Sequence, residues 1–579
     1  MPQRVVIIGA VALGPKAAAR YKRLDPDAEV TLLDRGRDIS YGGCGIPFYV
    51  SGDVSDASEL QTTAFHMLRD AEFFRKTKGV NVRTQTEALA IDRANKTVRV
   101  RHLPTGREED LPYDKLVLAT GSRANRLSAP GAELPGVLAV DGMQAAREIR
   151  AQVSGGGVSH AVVVGAGFIG LEMAVALTDL WGVETTVVEF RDQVLPGVIG
   201  PNLARMVQRD LEQHGVRFLL GQAVQTFEAD EKGHLAAVAT PSGRLEAELA
   251  IVAVGVTPND ELARAAGLTV GRRGGIVVDA QLRTSDPDIF AGGDCVVLPH
   301  ALTGAQTYLP LGSLANRQGR VIGTNLASDA NPAKGRDPAA TPPVVGAWCV
   351  KLFDRAAAGA GLTLASAKAV GFDAVCVHMG QVDRAHFHPD KGFMSLELIV
   401  ERGAGRILGM QGVAANGDTL VGKVDVVAAL LPSSPTVETL AGLELAYSPP
   451  FSAALDILNV LGGAAQNILE GRVRGVQVDE FAALWAERDK TGAPLFLDCR
   501  ETADASPFMT KYPDDWRNIP QGELADRLAE LPRDRELVLV CNTGARSYEA
   551  FITLAHAGFT NVVSVEGGMT AIVAAGLGI

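Results

Sequence analysis

The chain has 579 residues, of which 47% are apolar and 63 are glycine. This length exceeds what one hydrophobic core supports, so we expect about three or four domains of the α/β class. The 55 basic and 67 acidic side chains give a net charge of −12. That charge argues against nucleic acid or an anionic membrane surface as the main partner, although a local basic patch can still bind a phosphorylated small molecule.

The sequence opens with MPQRVVIIGAVALG, a buried strand that runs into a glycine turn. This opening lacks the pattern of a signal peptide, and no apolar run has the length of a bilayer span. The cysteines lie at positions 44, 295, 349, 376, 499 and 541, and none forms a CxxC pair. We therefore expect a cytoplasmic protein with reduced thiols and no membrane span.

The first βαβ pattern consists of VVIIG, PKAAARYKRL and EVTLLD, which are a strand, a helix and a second strand. The turn GAVALG has glycine at 9 and 14, but Val11 occupies the middle glycine position of GxGxxG, which weakens the motif. In a dinucleotide site Gly9 makes the tight turn, the helix N-terminus holds a pyrophosphate, and Asp34 binds a ribose hydroxyl.

A second and more complete pattern follows in HAVVVGAGFIGLEMAVALTDLWGVETTVVEF. Gly165, Gly167 and Gly170 lie between a strand and a helix, and Glu189 closes the next strand. An acid at that strand end suits the free 2′-hydroxyl of NADH better than the 2′-phosphate of NADPH. Arg191 lies nearby and weakens that preference.

Two more strand ends punctuate these units. YDKLVLATGS ends a strand at Thr120-Gly121, and TSDPDIFAGGDC ends one at Gly293-Asp294. At both, the backbone can approach a cofactor, and Asp294 is a hydrogen-bond partner for a polyol hydroxyl. Each segment alone is also compatible with an ordinary loop.

Together and in this order, the segments resemble the flavin- and pyridine-nucleotide-dependent disulfide reductases over about residues 1 to 468. The resemblance implies FAD on the first unit, with Asp294 on its ribityl chain, and NADH on the second, with Phe168 as an aromatic gate over the flavin. AVGVTPN also fits the family, as the return from the nicotinamide domain. The other cofactor-binding residues that the resemblance implies are Gly9, Ala12, Gly14, Asp34, Arg35, Ala88, Thr120, Gly121, Leu311, Gly312, Ala315, Gly165, Gly167, Ile169, Gly170, Glu189 and Gly255.

Cys44 lies in SYGGCGIPFYVSG. The dithiol members of the superfamily carry CxxxxC, and the second position here is Tyr49. The stretch instead resembles the single-cysteine branch, which includes coenzyme A disulfide reductases, NADH peroxidases and NADH oxidases. That resemblance implies that electrons pass from NADH through FAD to an oxidised sulfur on Cys44. A packed core thiol is the alternative for Cys44, and it is the reading we prefer for Cys295, Cys349 and Cys376.

Within that branch, peroxidases and oxidases carry a histidine in the first glycine turn, where this chain has Ala12. Alanine there favours the coenzyme A-linked reductases. The resemblance places coenzyme A on basic residues of the first helix and a serine before the cysteine. Arg20, Arg23 and Ser40 match those positions, and Lys78 is a further candidate. Basic side chains suit a phosphoadenosine diphosphate, but Arg20 and Arg23 also fit a solvated helix face.

LELAYSPPFSAALDILN also resembles this subgroup, which implies that Tyr447 reaches the Cys44 site of the other subunit of a homodimer. Two positions depart from the family pattern: Gly43 replaces an asparagine, and Phe387-His388-Pro389 replaces Tyr-Tyr-Pro. His386 and His388 could supply a proton in place of the missing phenol, or they could be surface residues of a turn. Two histidines are too few for a metal site, and we predict none.

After residue 475 a new α/β pattern begins. The loop from Cys541 to Arg546 runs from a strand end to a helix start, where backbone N–H groups and the helix dipole favour a thiolate or persulfide. This tail resembles the rhodanese domain, and the six-residue loop has the sulfur-handling length. TADASPFMTKYPDDWRN departs from the usual pattern before the loop, and Cys499 is predicted to pack.

These observations predict an α/β protein with two Rossmann-like nucleotide-binding domains for FAD and NAD, an α+β dimerisation domain and a C-terminal α/β rhodanese domain. The predicted boundaries are 1–150 and 276–325 for the FAD-binding domain, 151–275 for the NAD-binding domain, 326–468 for the dimerisation domain and 475–579 for the rhodanese.

The predicted function is NADH-dependent reduction of sulfane sulfur or disulfide of coenzyme A, meaning coenzyme A persulfide, polysulfide or coenzyme A disulfide. FAD and Cys44 would carry the electrons, and Cys541 would deliver or accept persulfide sulfur. Two alternatives stay open. One is an NADH oxidase or peroxidase that uses a sulfenic acid on Cys44, and the other is a sulfur-relay protein that acts through Cys541.

Overall fold

The computed structural model describes residues 2–330 and 337–579. Over these residues the chain forms two compact units, Met1–Phe190 with Gln222–Val344, and Arg191–Gly221 with Val345–Ile579. Helices and strands alternate through most of both units, as an α/β sequence pattern predicts.

The strands, in chain order, are β1 (Arg4–Ile8), β2 (Glu29–Leu33), β3 (Asn81–Arg83), β4 (Thr86–Asp92), β5 (Thr97–His102), β6 (Glu108–Pro112), β7 (Lys115–Leu118), β8 (Ser122–Ala124), β9 (Val137–Ala139), β10 (His160–Val164), β11 (Glu184–Glu189), β12 (Arg217–Leu220), β13 (Thr226–Ala229), β14 (Leu235–Thr240), β15 (Gly243–Glu246), β16 (Leu249–Val252), β17 (Val256–Pro258), β18 (Ile276–Val277), β19 (Ile289–Ala291), β20 (Val296–Pro299), β21 (Gln306–Thr307), β22 (Trp348–Leu352), β23 (Arg355–Gly361), β24 (Ala374–Val382), β25 (Phe393–Glu401), β26 (Ile407–Ala414), β27 (Gly475–Val476), β28 (Leu495–Asp498), β29 (Trp516–Asn518), β30 (Leu537–Val540) and β31 (Val562–Val565).

The helices are α1 (Leu13–Leu24), α2 (Ile46–Ser51), α3 (Ala71–Phe73), α4 (Met143–Ser154), α5 (Phe168–Thr178), α6 (Pro201–Gln213), α7 (Glu261–Ala265), α8 (Gly312–Ala330), α9 (Leu364–Ala369), α10 (Gly417–Leu430), α11 (Val437–Ala441), α12 (Ile457–Leu469), α13 (Val478–Ala486), α14 (Thr502–Lys511), α15 (Ala545–His556) and α16 (Gly568–Ala574). Within the described ranges, no helix combines the length and the apolar character needed to cross a bilayer.

Two parallel sheets organise the first unit. In one, the strands lie in the order β19-β7-β1-β2-β3, and β1 pairs with both β2 and β7. In the other, β11, β10, β16 and β9 are neighbours in that order, and β10 pairs with both β11 and β16. The central strands β1 and β10 are almost wholly buried, which explains their continuous apolar runs.

The second unit holds two further sheets. Antiparallel strands lie in the order β22-β23-β26-β25-β24, so β22 and β24 are the edges of that sheet. Parallel strands lie in the order β27-β31-β30-β28-β29. Aromatic side chains fill one face of the parallel sheet, and Trp485, Phe496 and Trp516 pack there against each other.

Candidate functional site

The turn between β1 and α1 is built by close backbone approach. A Cβ on Gly14 would lie 1.9 Å from the Gly9 carbonyl oxygen, so only glycine fits at that position. Asp34 follows β2, and its carboxylate accepts hydrogen bonds from the Ala10 N–H at 2.7 Å and the Gly36 N–H at 2.7 Å. Burial raises the pKa of Asp34, and these hydrogen bonds oppose the rise. Asp34, which is predicted to bind a ribose hydroxyl, therefore also stabilises the glycine turn through its hydrogen bond with Ala10.

The turn between β10 and α5 repeats this design. A Cβ on Gly170 would lie 1.9 Å from the Gly165 carbonyl oxygen. The Glu189 carboxylate accepts a hydrogen bond from the Ala166 N–H at 2.7 Å. Gly167 differs, because no atom of the protein lies within 4 Å of the position its Cβ would take. The fold alone does not require glycine there, which agrees with a ligand that approaches the backbone.

Both helices that follow these turns begin without a side-chain cap. Ala12 and Gly167 are the N-cap residues of α1 and α5, and neither makes a side-chain cap hydrogen bond. The first N–H groups of a helix are unsatisfied within the helix and attract anions. Both turns therefore fit a dinucleotide pyrophosphate, as the sequence predicts.

Thr120 and Asp294, the predicted cofactor residues after β7 and β19, are both held by hydrogen bonds. Thr120 donates its hydroxyl to the Asn259 carbonyl at 2.6 Å, which ties the end of β7 to the strand β17 region. Ser122 donates to Asp294 at 3.4 Å. Burial raises the pKa of Asp294, and the Ser122 hydrogen bond opposes it. A partly buried carboxylate of this kind is suited to accept hydrogen bonds from polyol hydroxyls.

The remaining predicted cofactor residues have varied surroundings. Leu311 and Ala315 flank the start of α8 and pack against the core of the first unit, as does Ala88 beside the β4 bulge. Arg35 and Ile169 are exposed. Gly121 and Gly255 have left-handed φ values of +67° and +90°. The contacts of these residues with a cofactor remain predictions.

Cys44 lies in the short 3-10 segment Gly43–Gly45, directly before α2, and it is exposed. Its Sγ is 3.5 Å from the position that a Cβ on Gly312 would take, and Gly312 begins the 19-residue helix α8. The positive end of that helix dipole favours a thiolate. Partial desolvation of the sulfur, followed by the charges of Glu172 and Asp294, raises the pKa of the thiol.

Glu172 is a residue of this region that the sequence interpretation missed. It lies in the first half of α5, where its ten neighbours in FIGLEMAVALT carry no charge. Burial raises the pKa of Glu172 to about 7, and its charge acts on Cys44. A single acid in an otherwise apolar helix was the available signal, because such a residue is costly to bury without a purpose.

Helix α1 packs against α8, and two of its basic residues, Lys16 and Arg20, lie beside α8. Arg20 is partly buried and donates from Nε to the Thr324 hydroxyl at 3.2 Å. Arg23 is exposed on the last turn of α1. Only Arg23 therefore resembles the solvated face that was the alternative to a coenzyme site.

Ser40 and Lys78 differ in exposure. Ser40 is 4% exposed, and its N–H donates to the Ala10 carbonyl at 2.7 Å, next to the first glycine turn. Its φ of +51° is unusual for a residue with a side chain. Lys78 lies with its Nζ 5.2 Å from the centre of the Phe73 ring. The segment that ends at Lys78 contacts α1.

Cys295, Cys376 and Cys349, the three cysteines predicted to pack in the core, differ in exposure. Cys295 is fully buried and donates to the Gly292 carbonyl at 3.2 Å, so its predicted packing role is confirmed. Cys376 is partly buried and packs against a small apolar cluster. The prediction is wrong for Cys349, which is exposed because it points outward from the edge strand β22. None of the six cysteines forms a disulfide bond among the described residues.

The loops that carry Tyr447 and His388 are neighbours in the second unit. The Ala385 N–H donates to the Pro449 carbonyl at 3.3 Å. Tyr447 is 49% exposed and Phe387 is 66% exposed. The Nδ1 atom of His388 accepts a hydrogen bond from the Asp390 N–H at 3.3 Å. No group of three or more histidine, cysteine or acidic side chains suited to a metal ion occurs in the described residues.

The Cys541 loop joins β30 to α15. Cys541 is 1% exposed, and its Sγ accepts hydrogen bonds from the Gly544 N–H at 3.1 Å and the Ser547 hydroxyl at 3.5 Å. Ser547 in turn accepts from Ser564 at 3.0 Å. Arg546 lies 3.6 Å from the Glu501 carboxylate. Donors aimed at a sulfur at a helix start stabilise a thiolate or persulfide.

The turn after β28 lies next to the Cys541 loop. Asp498 is fully buried and pairs with Arg500 at 2.7 Å, and Trp516 donates to the same carboxylate at 3.1 Å. Cys499 between them is buried, as predicted, and burial and the nearby Cys541 raise its pKa. This buried pair fixes the strand end next to the loop.

Three family models match the chain. Pyridine nucleotide-disulphide oxidoreductase matches residues 3–319, the dimerisation domain of that family matches residues 349–458, and the rhodanese-like domain matches residues 480–575. The first match alone covers more than half of the chain, and its cofactors are FAD and NAD(P)H.

A solved persulfide reductase from A. fulgidus, described as NAD-dependent, is 37% identical with a TM-score of 0.89, and the match covers 98% of this chain and 99% of that one. The NAD(P)H coenzyme A polysulfide/persulfide reductase of Pyrococcus horikoshii is 31% identical over 80% of this chain and 98% of its own length. The NADH oxidase of Methanocaldococcus jannaschii is 30% identical over 81% of this chain and 99% of its own length.

The glycine turns, the exposed cysteine beside a helix start and these matches agree. The chain belongs to the pyridine nucleotide-disulphide oxidoreductases and carries a rhodanese-like domain over residues 480–575.

Proposed function

We propose that this enzyme is an NADH-dependent reductase of sulfane sulfur bound to coenzyme A, with coenzyme A persulfide as its substrate. The proposal extends to polysulfide and coenzyme A disulfide as related acceptors. The observation that carries it is the pairing, on one chain, of an exposed Cys44 at a helix start with a Cys541 whose sulfur is already held by two donors.

The proposed role of Cys44 is nucleophilic. Its thiolate attacks one sulfur of the persulfide, the S–S bond breaks, and the other sulfur leaves with the bonding electrons as thiolate or hydrosulfide. When bound, FAD supplies the two electrons from NADH that free the sulfur left on Cys44. In balance, NADH, a proton and coenzyme A persulfide give NAD⁺, coenzyme A and hydrogen sulfide.

Four residues are proposed to bind coenzyme A, namely Arg20, Arg23, Ser40 and Lys78. Contact between α1 and the segment that ends at Lys78 supports this assignment, since it gathers cations in one region. Guanidinium and ammonium groups are the usual partners of phosphates. NADH is proposed over NADPH because Glu189 stands at the end of β11.

The rhodanese-like domain is proposed to take up sulfane sulfur on Cys541 and to pass it to coenzyme A or toward Cys44. Arg546 would assist the binding of an anionic donor. The family dimerisation domain supports a homodimer, in which Tyr447 reaches the Cys44 site of the other subunit. His388 would supply a proton there. The six cysteines form no disulfide bond among the described residues, which supports a reducing, cytoplasmic setting.

The test is NADH oxidation without oxygen, with coenzyme A persulfide as acceptor, in wild type, Cys44→Ser and Cys541→Ser. The proposal expects fast turnover in wild type, none in Cys44→Ser, and slower turnover in Cys541→Ser. Equal rates in wild type and Cys541→Ser would remove the tail from the cycle and leave reduction at Cys44 intact. No turnover in wild type would reject coenzyme A persulfide as the substrate.

An NADH oxidase is the second candidate, because the relative from Methanocaldococcus jannaschii carries that name. Such an enzyme would reduce oxygen or peroxide through a sulfenic acid on Cys44. Ala12 in the first glycine turn and the rhodanese-like domain speak against it. Rapid oxygen uptake with NADH alone would favour this candidate.

A further inference from the structure

The outer edge of β24 is closed by two side chains, one just before the rhodanese-like domain and one within it. β24 pairs on one side with β25 and is the last strand of its sheet. Its outward His378 N–H donates to the Glu566 carboxylate at 2.6 Å. Its outward Cys376 carbonyl accepts from the Gln477 amide at 3.3 Å. Gln477 also donates to Glu566, so the two side chains occupy the place of a further strand.

Glu566 directly precedes the turn that contacts the backbone of Cys541. It follows β31, and the next two residues, Gly567 and Gly568, have left-handed φ values of +71° and +56°. A Cβ on Gly568 would lie 2.3 Å from the Cys541 carbonyl oxygen. The Met569 N–H donates to that same oxygen at 2.8 Å. A shift of the turn after Glu566 therefore moves the backbone of Cys541.

The imidazole of His378 packs against the Gly567-Gly568 turn. His378 is 2% exposed, and a Cβ on Gly567 would lie 2.6 Å from its ring. Neither ring nitrogen has a hydrogen-bond partner among the described residues. Its Nδ1 is 3.8 Å from Glu397 of β25, which is also 2% exposed. This ring fills the space between the sheet edge and the turn, so the turn cannot move toward β24.

A third element joins this contact. Asn202 of α6 is 3% exposed and donates to the Gln477 side-chain oxygen at 3.2 Å. Gln477 is itself the N-cap of α13, where it forms a capping box with Glu480. Gln477 is thus fixed from two sides and presents its amide group to Glu566. Asn202, Gln477, Glu566 and the backbone of β24 thus form a hydrogen-bonded network, which we call the junction. A buried network of this kind fixes the relative positions of its members.

We infer that Glu566 is a positioning residue for Cys541, since it clamps the turn that carries the Cys541 loop to the edge of β24. The inference rests on the proposed function only in taking Cys541 as the sulfur carrier. Glu566 does not touch that sulfur. It acts through the Gly567-Gly568 turn, which sets where the Cys541 backbone lies relative to the Gly544 donor.

The electrostatics of the junction support a clamp that works with a neutral acid. Burial raises the pKa of Glu566 to about 8, and the hydrogen bonds from His378 and Gln477 oppose the rise. The titratable groups that face it from the packed elements are His378 and Cys376 of β24, Glu397 of β25, and Asp479 and Glu480 of α13. An uncharged amide should therefore replace Glu566 with little loss.

The experiment compares Glu566→Ala and Glu566→Gln with Glu549→Ala, which removes an exposed acid from the same domain. The full-length, flavin-loaded protein is treated with methyl methanethiosulfonate from pH 5 to pH 9, and mass spectrometry follows the peptide that contains Cys541. Hydrogen exchange at His378 is measured in parallel. Neither readout uses NADH or coenzyme A persulfide, so the result stands apart from the proposed function.

The clamp predicts that Glu566→Ala exposes the His378 N–H to at least about tenfold faster exchange, since the variant removes the acceptor of that buried N–H. It also predicts a changed Cys541 pH profile, with a rate at pH 7 altered by at least about threefold. Glu549→Ala should keep the wild-type profile throughout, and Glu566→Gln should keep it below about pH 8, where Glu566 is also uncharged.

An unchanged Cys541 profile in Glu566→Ala, with faster exchange at His378, would overturn the inference, because Glu566 would then only close a sheet edge. Unchanged exchange would also overturn it, since the clamp would not exist in solution. Should Glu566→Ala fail to fold, Gln477→Met removes one donor from the clamp and must shift the Cys541 profile in the same direction. A wild-type profile in that variant would count against the inference.

Discussion

Cys44 and Cys541 are both unpaired thiols at helix starts, but their surroundings differ. Cys541 is 1% exposed and has two donors on its sulfur, the Gly544 N–H and the Ser547 hydroxyl. Cys44 is an exposed residue, and partial desolvation of its sulfur, followed by the charges of Glu172 and Asp294, raises the pKa of its thiol. The Cys541 sulfur is enclosed and contacted by two donors, whereas the Cys44 sulfur is open to solvent and near two carboxylates.

The difference suggests a division of labour. A carrier of sulfane sulfur profits from donors that stabilise a persulfide anion between reactions. A thiol that must release its sulfur in each cycle profits from surroundings that do not stabilise the bound form. A sulfur would therefore rest on Cys541 and pass only briefly over Cys44. The following variants test this contrast, from the largest expected effect to the smallest.

Replacing each cysteine separates the two sites most strongly. Cys44→Ser should lower NADH-linked reduction by at least about 10³-fold, because loss of a nucleophile removes the covalent step. Its Cys541 should still take up sulfur from a sulfane donor, as measured by mass spectrometry of the Cys541 peptide. Cys541→Ser should lose sulfur uptake at position 541 and should slow, without abolishing, the NADH-linked reduction of coenzyme A persulfide. Complete loss of both NADH-linked reduction and sulfur uptake in either variant would show that the two cysteines do not act as separate sites.

The second glycine turn offers a matched pair of variants. Gly170→Ala places a Cβ 1.9 Å from the Gly165 carbonyl oxygen, so it should lower the free energy of unfolding by about 3 kcal/mol or more. Gly167→Ala meets no protein atom within 4 Å and should change that free energy by less than about 0.5 kcal/mol. Denaturant titration measures both.

Gly167→Ala should nevertheless raise the KM for NADH by roughly tenfold, since the added methyl group occupies the space of the approaching pyrophosphate. Steady-state kinetics with varied NADH measures this. An unchanged KM in a stable Gly167→Ala protein would place the pyridine nucleotide elsewhere.

Ser547→Ala removes the longer of the two donors to the Cys541 sulfur. Persulfide formation on Cys541 should slow by about two- to fivefold, because a 3.5 Å bond to sulfur is weak. Ser506→Ala changes an exposed serine in the same domain and should behave as wild type. NADH-linked reduction of a small disulfide at Cys44 should be the same in all three proteins. A slower reaction at Cys44 would show that the two sites are coupled.

Glu172→Gln tests the contrast from the side of Cys44. Glu172 has a pKa of about 7, so it is charged above that pH and raises the pKa of the Cys44 thiol. Its removal should lower the thiol pKa and speed modification of Cys44 at pH 8 by roughly two- to threefold, with little change at pH 5.5 where Glu172 is already neutral. Glu148→Gln, which alters an exposed acid of α4, is the control.

Rates of Cys44 modification across that pH range measure the effect. Equal rates for Glu172→Gln and wild type at pH 8 would mean that Glu172 does not act on the thiol.

Local patterns in the sequence predicted the nucleotide-binding turns well. The apolar strand and alanine-rich helix around Gly9 correspond to β1 and α1, and the glycine spacing around Gly165 corresponds to the turn before α5. These features depend on neighbouring residues, and periodicity reveals them. The Cys541 loop was predictable for the same reason, because strand, loop and helix follow each other directly.

Long-range features were not predictable in this way. Glu566, His378 and Gln477 lie far apart in sequence, and only the packing of the rhodanese-like domain on β24 brings them together. Cys349 is exposed because it lies on the outer face of β22, whose residues Val350 and Leu352 are buried on the other face. The position of Glu172 near Cys44 depends on how α5 packs against α2.

The central claim is that reduction at Cys44 releases sulfane sulfur as sulfide. The most direct measurement is the ratio of sulfide formed to NADH consumed, without oxygen, with coenzyme A persulfide as the acceptor. The account predicts equimolar amounts of sulfide, coenzyme A and NAD⁺. NADH consumption without matching sulfide, or consumption that needs oxygen, would contradict the account and favour an oxidase.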